Sequence, residues 1–294
     1  MSYPVRSSLR TLSAAAGMGL LALSQPAMAA VITLNPAASP PTLTTSGSSQ
    51  FTADGAITSS YTSVNIKANG NFTESGILPI AAFTLNGAQF LPPGYLGQPG
   101  AIPSYSLYLK FQASGAGLSG GNGAGAQSKF NSLNYFLYAD PGNDDGTISV
   151  QGQPNGVAFS GNTGNDVILG IGTLISGSAS LTANTAGTGP SLVPAANVLA
   201  TFTPVATESG FFVGSGKLTL SFDTLSNALG TVTETQGANS SLNLLTSAGG
   251  GSLAFGGPSA APPPSSTPVP EPSSLALVGA GMLAALIARR KLTL

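Results

Sequence analysis

The sequence predicts an all-β body, an antiparallel β-sandwich or barrel, flanked by an N-terminal signal helix and a short C-terminal transmembrane helix. Three observations carry this prediction. Residues 30–255 consist of short runs rich in Thr, Ser, Val, Leu, Phe and Tyr, separated by Gly and Asn turn residues. No stretch of that body has a helical apolar stripe with caps. Each end of the chain has a single apolar segment next to basic residues.

Residues 105–111 form the clearest predicted strand, because apolar and polar positions alternate along it. Tyr105, Leu107, Leu109 and Phe111 share one face, and Ser106, Tyr108 and Lys110 share the other. Residues 114–127, which are rich in glycine, are predicted to form a mobile surface loop. Further strands are predicted at residues 63–68, 70–74, 80–85, 134–139, 166–174, 198–203, 217–222, 231–235, 241–244 and 252–255.

The first 29 residues have the three regions of a secretory signal peptide. Arg6 and Arg10 give the positive start, and a short apolar stretch follows them. Small residues at Ala27 and Ala29 then mark a cleavage site, so that the mature chain begins at Ala30. Signal peptidase is expected to remove this segment by cutting at that site. The alternative is that the segment is a buried N-terminal helix.

The C-terminal 25 residues, 270–294, combine three elements in a fixed order. Pro270-Glu271-Pro272 comes first, an apolar run at 275–288 follows, and the basic cluster Arg289-Arg290-Lys291 comes last. Counted from Ser273, the segment has 16 residues and as a helix spans about 24 Å at ~1.5 Å per residue, against a hydrocarbon core of ~30 Å. It would cross with local thinning or with its basic end reaching the headgroups on the cytoplasmic side. Residues 256–269, uncharged and rich in Pro, Gly and Ser, precede it as a linker.

This tripartite end resembles the PEP-CTERM sorting signal over about 25 residues. The resemblance implies recognition by an exosortase, a membrane transpeptidase-like protease that processes its substrates near the motif. It also implies a Gram-negative host that makes extracellular polysaccharide. The expected route is export, transient anchoring in the inner membrane, and then a cell-surface or extracellular location. The alternative is an ordinary single-span anchor behind a Pro-rich linker.

The whole chain is also similar to the flocculation-associated subset of PEP-CTERM proteins. A signal peptide, a Thr/Gly/Asn-rich β body and this tail carry that similarity, together with the stretches Tyr105–Tyr108 and Tyr135–Asp140. The role it implies is to help cells and extracellular polysaccharide cohere into flocs.

Composition excludes several classes of function. Between the two ends lie four lysines and nine acids with no arginine, a net charge of −5, which excludes nucleic acid as a partner. The chain has no cysteine, histidine or tryptophan, so it offers no thiol nucleophile, thiolate metal site or imidazole base. The remaining catalytic option is a carboxylate pair drawn from residues such as Glu74, Glu208 and Glu234. Nothing in their spacing singles out two of them, so we take them as solvated surface acids and expect no enzyme.

One acidic turn at residues 140–146 is the candidate ligand site of the body, and no other cofactor is expected. Clustered carboxylate and amide oxygens on a tight loop are what Ca²⁺ prefers. Asn165 and Asp166 would add oxygens if the fold brings them near. The alternative is a solvated turn, because Pro-Gly and Asp-Gly form turns in any case. The candidate Ca²⁺ ligands are Asp140, Asn143, Asp144 and Asp145.

Two functions remain for the body. The first is that of a non-catalytic surface or matrix protein with a role in flocculation or biofilm cohesion. The alternative is a secreted carbohydrate-binding module in which Tyr108 and Tyr138, on exposed strand faces, stack against sugar rings.

Overall fold

The computed structural model describes residues 30–38, 43, 50–97, 104–153, 155–183, 192–205, 210–213, 218–223, 231–236 and 240–256. The predicted signal and sorting segments lie outside these residues. So do Ala27, Ala29, Pro270, Glu271, Pro272, Arg289, Arg290 and Lys291, and within the predicted cleavage site only Ala30 is described. Across the described residues, no helix has the length and apolar character needed to cross a membrane.

The described residues form fifteen strands and two short 3₁₀ helices, at Pro36–Ala38 and Thr163–Asn165. The strands are β1 (Ile32–Leu34), β2 (Phe51–Ala53), β3 (Gly55–Ile66), β4 (Phe72–Leu85), β5 (Ala88–Phe90), β6 (Tyr105–Ser119), β7 (Gln127–Pro141), β8 (Ile148–Val150), β9 (Val157–Phe159), β10 (Val167–Ala183), β11 (Leu192–Pro204), β12 (Phe212–Val213), β13 (Leu218–Asp223), β14 (Thr231–Gln236) and β15 (Leu242–Gly256).

Eight of these strands close into an antiparallel barrel. Neighbours in the barrel follow one another along the chain, in the order β3, β4, β6, β7, β10, β11, β13 and β15. β15 pairs with β13 along one edge and with β3 along the other, which closes the ring. β14 pairs with residues 242–247 of β15 and β13 with residues 252–256, so these two strands lie end to end. The predicted antiparallel β body is confirmed, and it is a barrel rather than a sandwich.

The barrel interior is filled mainly by apolar side chains from alternate positions of its strands. In β6, Tyr105, Leu107, Leu109 and Phe111 are all buried, which confirms the predicted inward face. Aromatic rings meet edge to face inside the barrel, as Tyr95 and Tyr105 do at 5.2 Å between centroids. Burying each such side chain stabilises the fold by about 1.5–3 kcal/mol.

Several predicted strands are fragments of longer ones. The predicted strands at 70–74 and 80–85 fall on one strand, β4, which begins at Phe72, and those at 241–244 and 252–255 fall on β15, which begins at Leu242. The predicted mobile loop at 114–127 is wrong in its first part, because β6 continues to Ser119. Glycine is needed there for space: a Cβ atom on Gly115 would overlap the ring of Phe72. The glycines and serines at the end of β6 therefore gave this part of the strand the composition of a loop.

A hairpin of β8 and β9, which the sequence analysis did not predict, covers part of the outer barrel wall. It packs against β3 and β4. Beneath it lies a second apolar cluster with Ile77, Tyr108 and Val157 at its centre. Gln153 fastens the hairpin by donating from Nε2 to Ser75 Oγ at 2.8 Å. The long connection that carries this hairpin, between β7 and β10, also carries the candidate site.

Candidate functional site

Four aspartates converge where the connection between β7 and β10 leaves and rejoins the barrel. β7 and β10 are antiparallel neighbours, with Ala139 opposite Val167, so the end of one meets the start of the other. Within this short region lie Asp140 at the end of β7, Asp144 and Asp145 in the turn after it, and Asp166 directly before β10.

The spacing of the carboxylates suits a single cation. One carboxylate oxygen each from Asp140, Asp144 and Asp145 can be chosen so that all three lie within 4.8 Å of one another. Two oxygens bound to the same Ca²⁺ at about 2.4 Å are at most about 4.8 Å apart. The three side chains can therefore reach one ion without a rearrangement of the backbone.

Asp145 is the most unusual member of the cluster. Its side chain is only 4% exposed, and neither carboxylate oxygen has a hydrogen-bond partner among the residues that the structure describes. Two more buried oxygens nearby, Asp166 Oδ1 and Asn165 Oδ1, also have no partner. A buried polar atom that is left unpaired costs about 1–3 kcal/mol, and more if it is charged. These oxygens are therefore shielded from water, and none of the described residues donates a hydrogen bond to them.

Hydrogen bonds hold the neighbouring groups in place. Asp140 accepts from the backbone N–H of Asp144 at 3.2 Å and from Ser106 Oγ at 3.1 Å. Asp166 accepts a hydrogen bond from the hydroxyl of Tyr108. Asn165 donates from Nδ2 to the carbonyl oxygen of Pro141 at 3.0 Å and to Asp144 Oδ1 at 3.4 Å. These bonds use the donors of Asn165 and leave its Oδ1 oxygen unpaired.

The turn has a backbone that only certain residues adopt. Gly142, Asn143 and Gly146 have φ values of 94°, 55° and 75°, in the left-handed region that favours glycine and asparagine. Residues 160–166 form the arm of the connection that returns to the barrel, and this arm comes close to the turn. Gly161 in it donates its N–H to the carbonyl oxygen of Asp145 at 2.7 Å. A Cβ atom on Gly161 would overlap that same carbonyl. Glycine at this position therefore lets the two arms of the connection touch.

The electrostatics of the cluster oppose its own ionisation. Burial, followed by the negative charges of Asp140, Asp166 and Asp144, raises the pKa of Asp145 to about 7. Burial is also the largest cause that raises the pKa of Asp140 and that of Asp166. Lys110 lowers the pKa of Asp166, but its effect is the smallest of those acting there. A bound cation would remove this repulsion.

Comparison with known proteins adds information on the C-terminal segment. The family model of the PEP-CTERM protein-sorting motif matches residues 268–291. The chain carries a PEP-CTERM protein-sorting motif. The match includes Pro270-Glu271-Pro272 and the basic cluster at 289–291, which confirms the predicted resemblance; it does not distinguish the flocculation subset. The motif implies an exported, transiently membrane-anchored protein that an exosortase processes. Neither curated proteins nor solved structures gave a significant match.

The structure brings the predicted Ca²⁺ ligands of this PEP-CTERM chain into one turn. Carboxylate oxygens of Asp140, Asp144 and Asp145 lie close together. The fold also brings Asn165 and Asp166 near this turn, which was the condition for them to add ligand oxygens. Asn143 provides a left-handed residue of the turn, and its N–H donates to the Asp140 carbonyl oxygen at 3.4 Å. The ligand role of these residues stays a prediction.

Tyr108 is not an exposed sugar platform, and that prediction is wrong. It lies on the outward face of β6, but the hairpin of β8 and β9 covers it and leaves it 4% exposed. Its ring stacks on Tyr138 with centroids 5.0 Å apart, and Phe159 meets it edge to face at 4.8 Å. Tyr138 is half-buried in the same cluster. The missed hairpin is the cause of the error.

Glu74 is a functional candidate that the sequence analysis placed wrongly on the surface. It is 4% exposed, its Oε1 atom has no hydrogen-bond partner, and burial raises its pKa to about 8. The alternation in β4 was the available signal, because Phe72, Glu74 and Leu78 occupy positions of one face.

Proposed function

We propose that this chain is an exported, non-catalytic surface or extracellular-matrix protein that contributes to polysaccharide-associated cell aggregation after an exosortase has released it. The observation that carries the proposal is the sorting motif at residues 268–291, in a chain whose described part is built around one closed barrel. The tail directs the sorting of the chain, and the barrel provides its role in aggregation.

The chemistry of the tail gives a sequence of events. Signal peptidase removes the first 29 residues, and the apolar run at 275–288 then stops in the inner membrane. The basic cluster at 289–291 stays on the cytoplasmic side, which leaves the barrel outside. The apolar run is short for a bilayer of ordinary thickness, so it would cross with local thinning of the bilayer or with its basic end reaching the headgroups. Cleavage near Pro270-Glu271-Pro272 then frees the barrel.

The character of the barrel supports a structural role. Among the described residues, its interior is lined mainly by apolar side chains, as a packed core is. The outer wall is poor in charge: β7 exposes Lys129, Asn131, Ser132 and Asn134 along one stretch. Low surface charge favours association between molecules, because little electrostatic repulsion keeps them apart. Such a surface suits cohesion with a hydrated matrix.

Intact mass of the protein recovered from cells and medium tests the sorting step, in hosts with and without the exosortase. We expect a species that begins at Ala30 and ends near Pro270-Glu271-Pro272, and that is absent without the protease. Alanine replacement of those three residues should also prevent its formation. Alanine replacement of Pro262-Pro263-Pro264, which lie outside the matched motif, is the matched control and should leave processing intact. A chain that still ends at Leu294 in every host would refute exosortase processing.

A settling assay tests the aggregation role. Cells that lack the chain should flocculate less than the parent, and the wild-type chain should restore settling while the motif variant does not. Equal settling of all strains would refute the role in aggregation and leave the sorting result untouched. Binding of the purified chain to the host's polysaccharide in a pull-down, without any effect on settling, would favour the carbohydrate-binding alternative.

A further inference from the structure

The aspartate cluster at the β7–β10 connection presents more oxygen acceptors than the described protein donors satisfy. We propose that Asp140, Asp144 and Asp145 bind one Ca²⁺ ion, and that Asn165 and Asp166, which the fold brings beside this turn, complete the site from the second segment. The ion would fasten both arms of the connection to the end of the barrel. This inference concerns the barrel alone and does not depend on the sorting route or on the aggregation role.

The burial of Asp145 is evidence for a bound cation that the clustering of acidic residues alone would not give. An acidic turn that is only solvated would present its carboxylates to water, as the alternative reading of this turn requires. Asp145 is instead buried at 4% exposure, and both of its oxygens lack a partner while one lies within 4.8 Å of ligand oxygens from Asp140 and Asp144. A shielded carboxylate without donors calls for a positive partner.

A second line of evidence comes from the returning arm. Asn165 and Asp166 are 25 and 26 positions after Asp140 in the chain, yet Asn165 donates hydrogen bonds to Pro141 and to Asp144. Each of the two residues also presents a buried, unpaired Oδ1 atom. The set therefore contains four carboxylates and one amide oxygen from two separate segments. This is not the single twelve-residue loop of an EF-hand.

The donor atoms select the kind of ion. All of them are oxygens, and the chain has no histidine or cysteine, so Zn²⁺ and the softer transition metals find none of their preferred ligands. Ca²⁺ accepts six to eight oxygens at about 2.3–2.6 Å in irregular geometry, whereas Mg²⁺ requires a near-ideal octahedron at about 2.0–2.1 Å. The carboxylate oxygens of Asp140, Asp144 and Asp145 that lie within 4.8 Å of one another fit the larger ion.

The ion would control the attachment of the hairpin. Its ligands stand at both ends of the segment that carries β8 and β9, and Asp166 accepts from the hydroxyl of Tyr108 under that hairpin. With Ca²⁺ bound, the two arms are tied together at their base. Without it, four carboxylates with Lys110 as their weak counter-charge repel one another, and the connection is expected to loosen.

The test uses the full chain in a non-ionic detergent, with EGTA, CaCl₂ and TbCl₃ as probes. Tb³⁺ occupies oxygen-rich Ca²⁺ sites and emits when an excited tyrosine lies close. Because Tyr108 contacts Asp166, excitation of tyrosine should give Tb³⁺ emission that CaCl₂ quenches by competition. We expect Ca²⁺ at about 100 times its dissociation constant to raise Tm by about 5 °C or more over EGTA.

Three variants locate the site. Asp145→Asn should weaken Ca²⁺ binding at least about ten-fold. Asp144→Asn changes an exposed residue, so we expect it to fold, and it should weaken binding by a similar factor even if the first variant fails to fold. Glu234→Gln removes one negative charge from β14, outside the cluster, and should bind as the wild type does.

Two results would overturn the proposal. One is a wild-type Tm that millimolar CaCl₂ leaves unchanged, together with no Tb³⁺ emission on tyrosine excitation. The other is binding that Asp144→Asn and Glu234→Gln reduce equally, because that would show a general response to charge rather than a built site.

Discussion

Replacing Glu74 by glutamine is expected to stabilise the barrel at neutral pH, by an amount that grows as the pH rises. Glu74 lies on β4 between Val64 of β3 and Ala113 of β6, and its side chain is 4% exposed. Its Oε1 atom has no partner, and burial raises its pKa from 4.5 to about 8. The folded barrel therefore holds Glu74 as a neutral acid at pH 7.

The magnitude follows from the two pKa values. Below pH 4.5 the side chain is protonated in the folded and in the unfolded chain, and its titration costs nothing. As the pH rises from 4.5 towards 8, the unfolded chain releases the proton and the folded chain keeps it. The free energy of unfolding then falls by about 1.4 kcal/mol per pH unit, or about 3 kcal/mol by pH 7. Glutamine has nearly the same shape, does not titrate, and removes this cost.

Urea unfolding of the wild type and of Glu74→Gln between pH 5 and pH 8 measures the effect. We expect the variant to gain less than about 1 kcal/mol at pH 5 and about 3 kcal/mol at pH 7, against a typical total of about 5–15 kcal/mol. Glu234→Gln makes the same chemical change on β14 at a half-buried site, and it should show no comparable gain. A Glu74→Gln variant whose difference from the wild type is constant across this range would refute the reasoning, because Glu74 would then be ionised in the fold.

Three further substitutions probe the packing. Phe202→Ala should lower the free energy of unfolding by about 3–5 kcal/mol in urea titrations, because it empties a core position that is 1% exposed. Gly172→Ala should cost about 1–3 kcal/mol, because its new Cβ atom overlaps the Thr201 carbonyl, while Gly152→Ala, which has open space, should be nearly neutral; equal losses in both would contradict this. Tyr108→Phe should cost about 1.5–3 kcal/mol by thermal unfolding, because it removes a hydrogen bond to a carboxylate; an unchanged Tm would argue against that bond.

The fold class was predictable because alternation is strong where the barrel wall is regular. Tyr105, Leu107, Leu109 and Phe111 alternate with polar residues, and all four are buried. The ends of the strands were less predictable, as β3 illustrates. Thr58, Ser60 and Thr62 are polar but face the interior and are at most 4% exposed, and no strand was predicted at this part of the sequence. Alternation of polarity cannot identify the inward face when the interior accepts hydroxyl groups.

The candidate site was predictable only in part. The turn at 140–146 was visible from its composition, because aspartate, asparagine and glycine are both turn formers and oxygen donors. The burial of Asp145 was not visible, because it depends on the arm at 160–166 folding back until Gly161 contacts the carbonyl of Asp145. That approach is a contact between distant segments, and no local pattern specifies it.

The barrel thus has buried acidic groups at two separate places: Glu74 and the aspartate cluster. Glu74 lies opposite Ala113 of β6 and Asp140 lies opposite Ser106 of the same strand, a separation of seven residues or about 23 Å. A proton neutralises the first, whereas the second, with four carboxylates, is neutralised better by a divalent cation. Sites this far apart usually act additively within about 0.5 kcal/mol. Ca²⁺ should therefore stabilise Glu74→Gln as much as it stabilises the wild type, and a smaller effect in the variant would mean that the barrel couples its two ends.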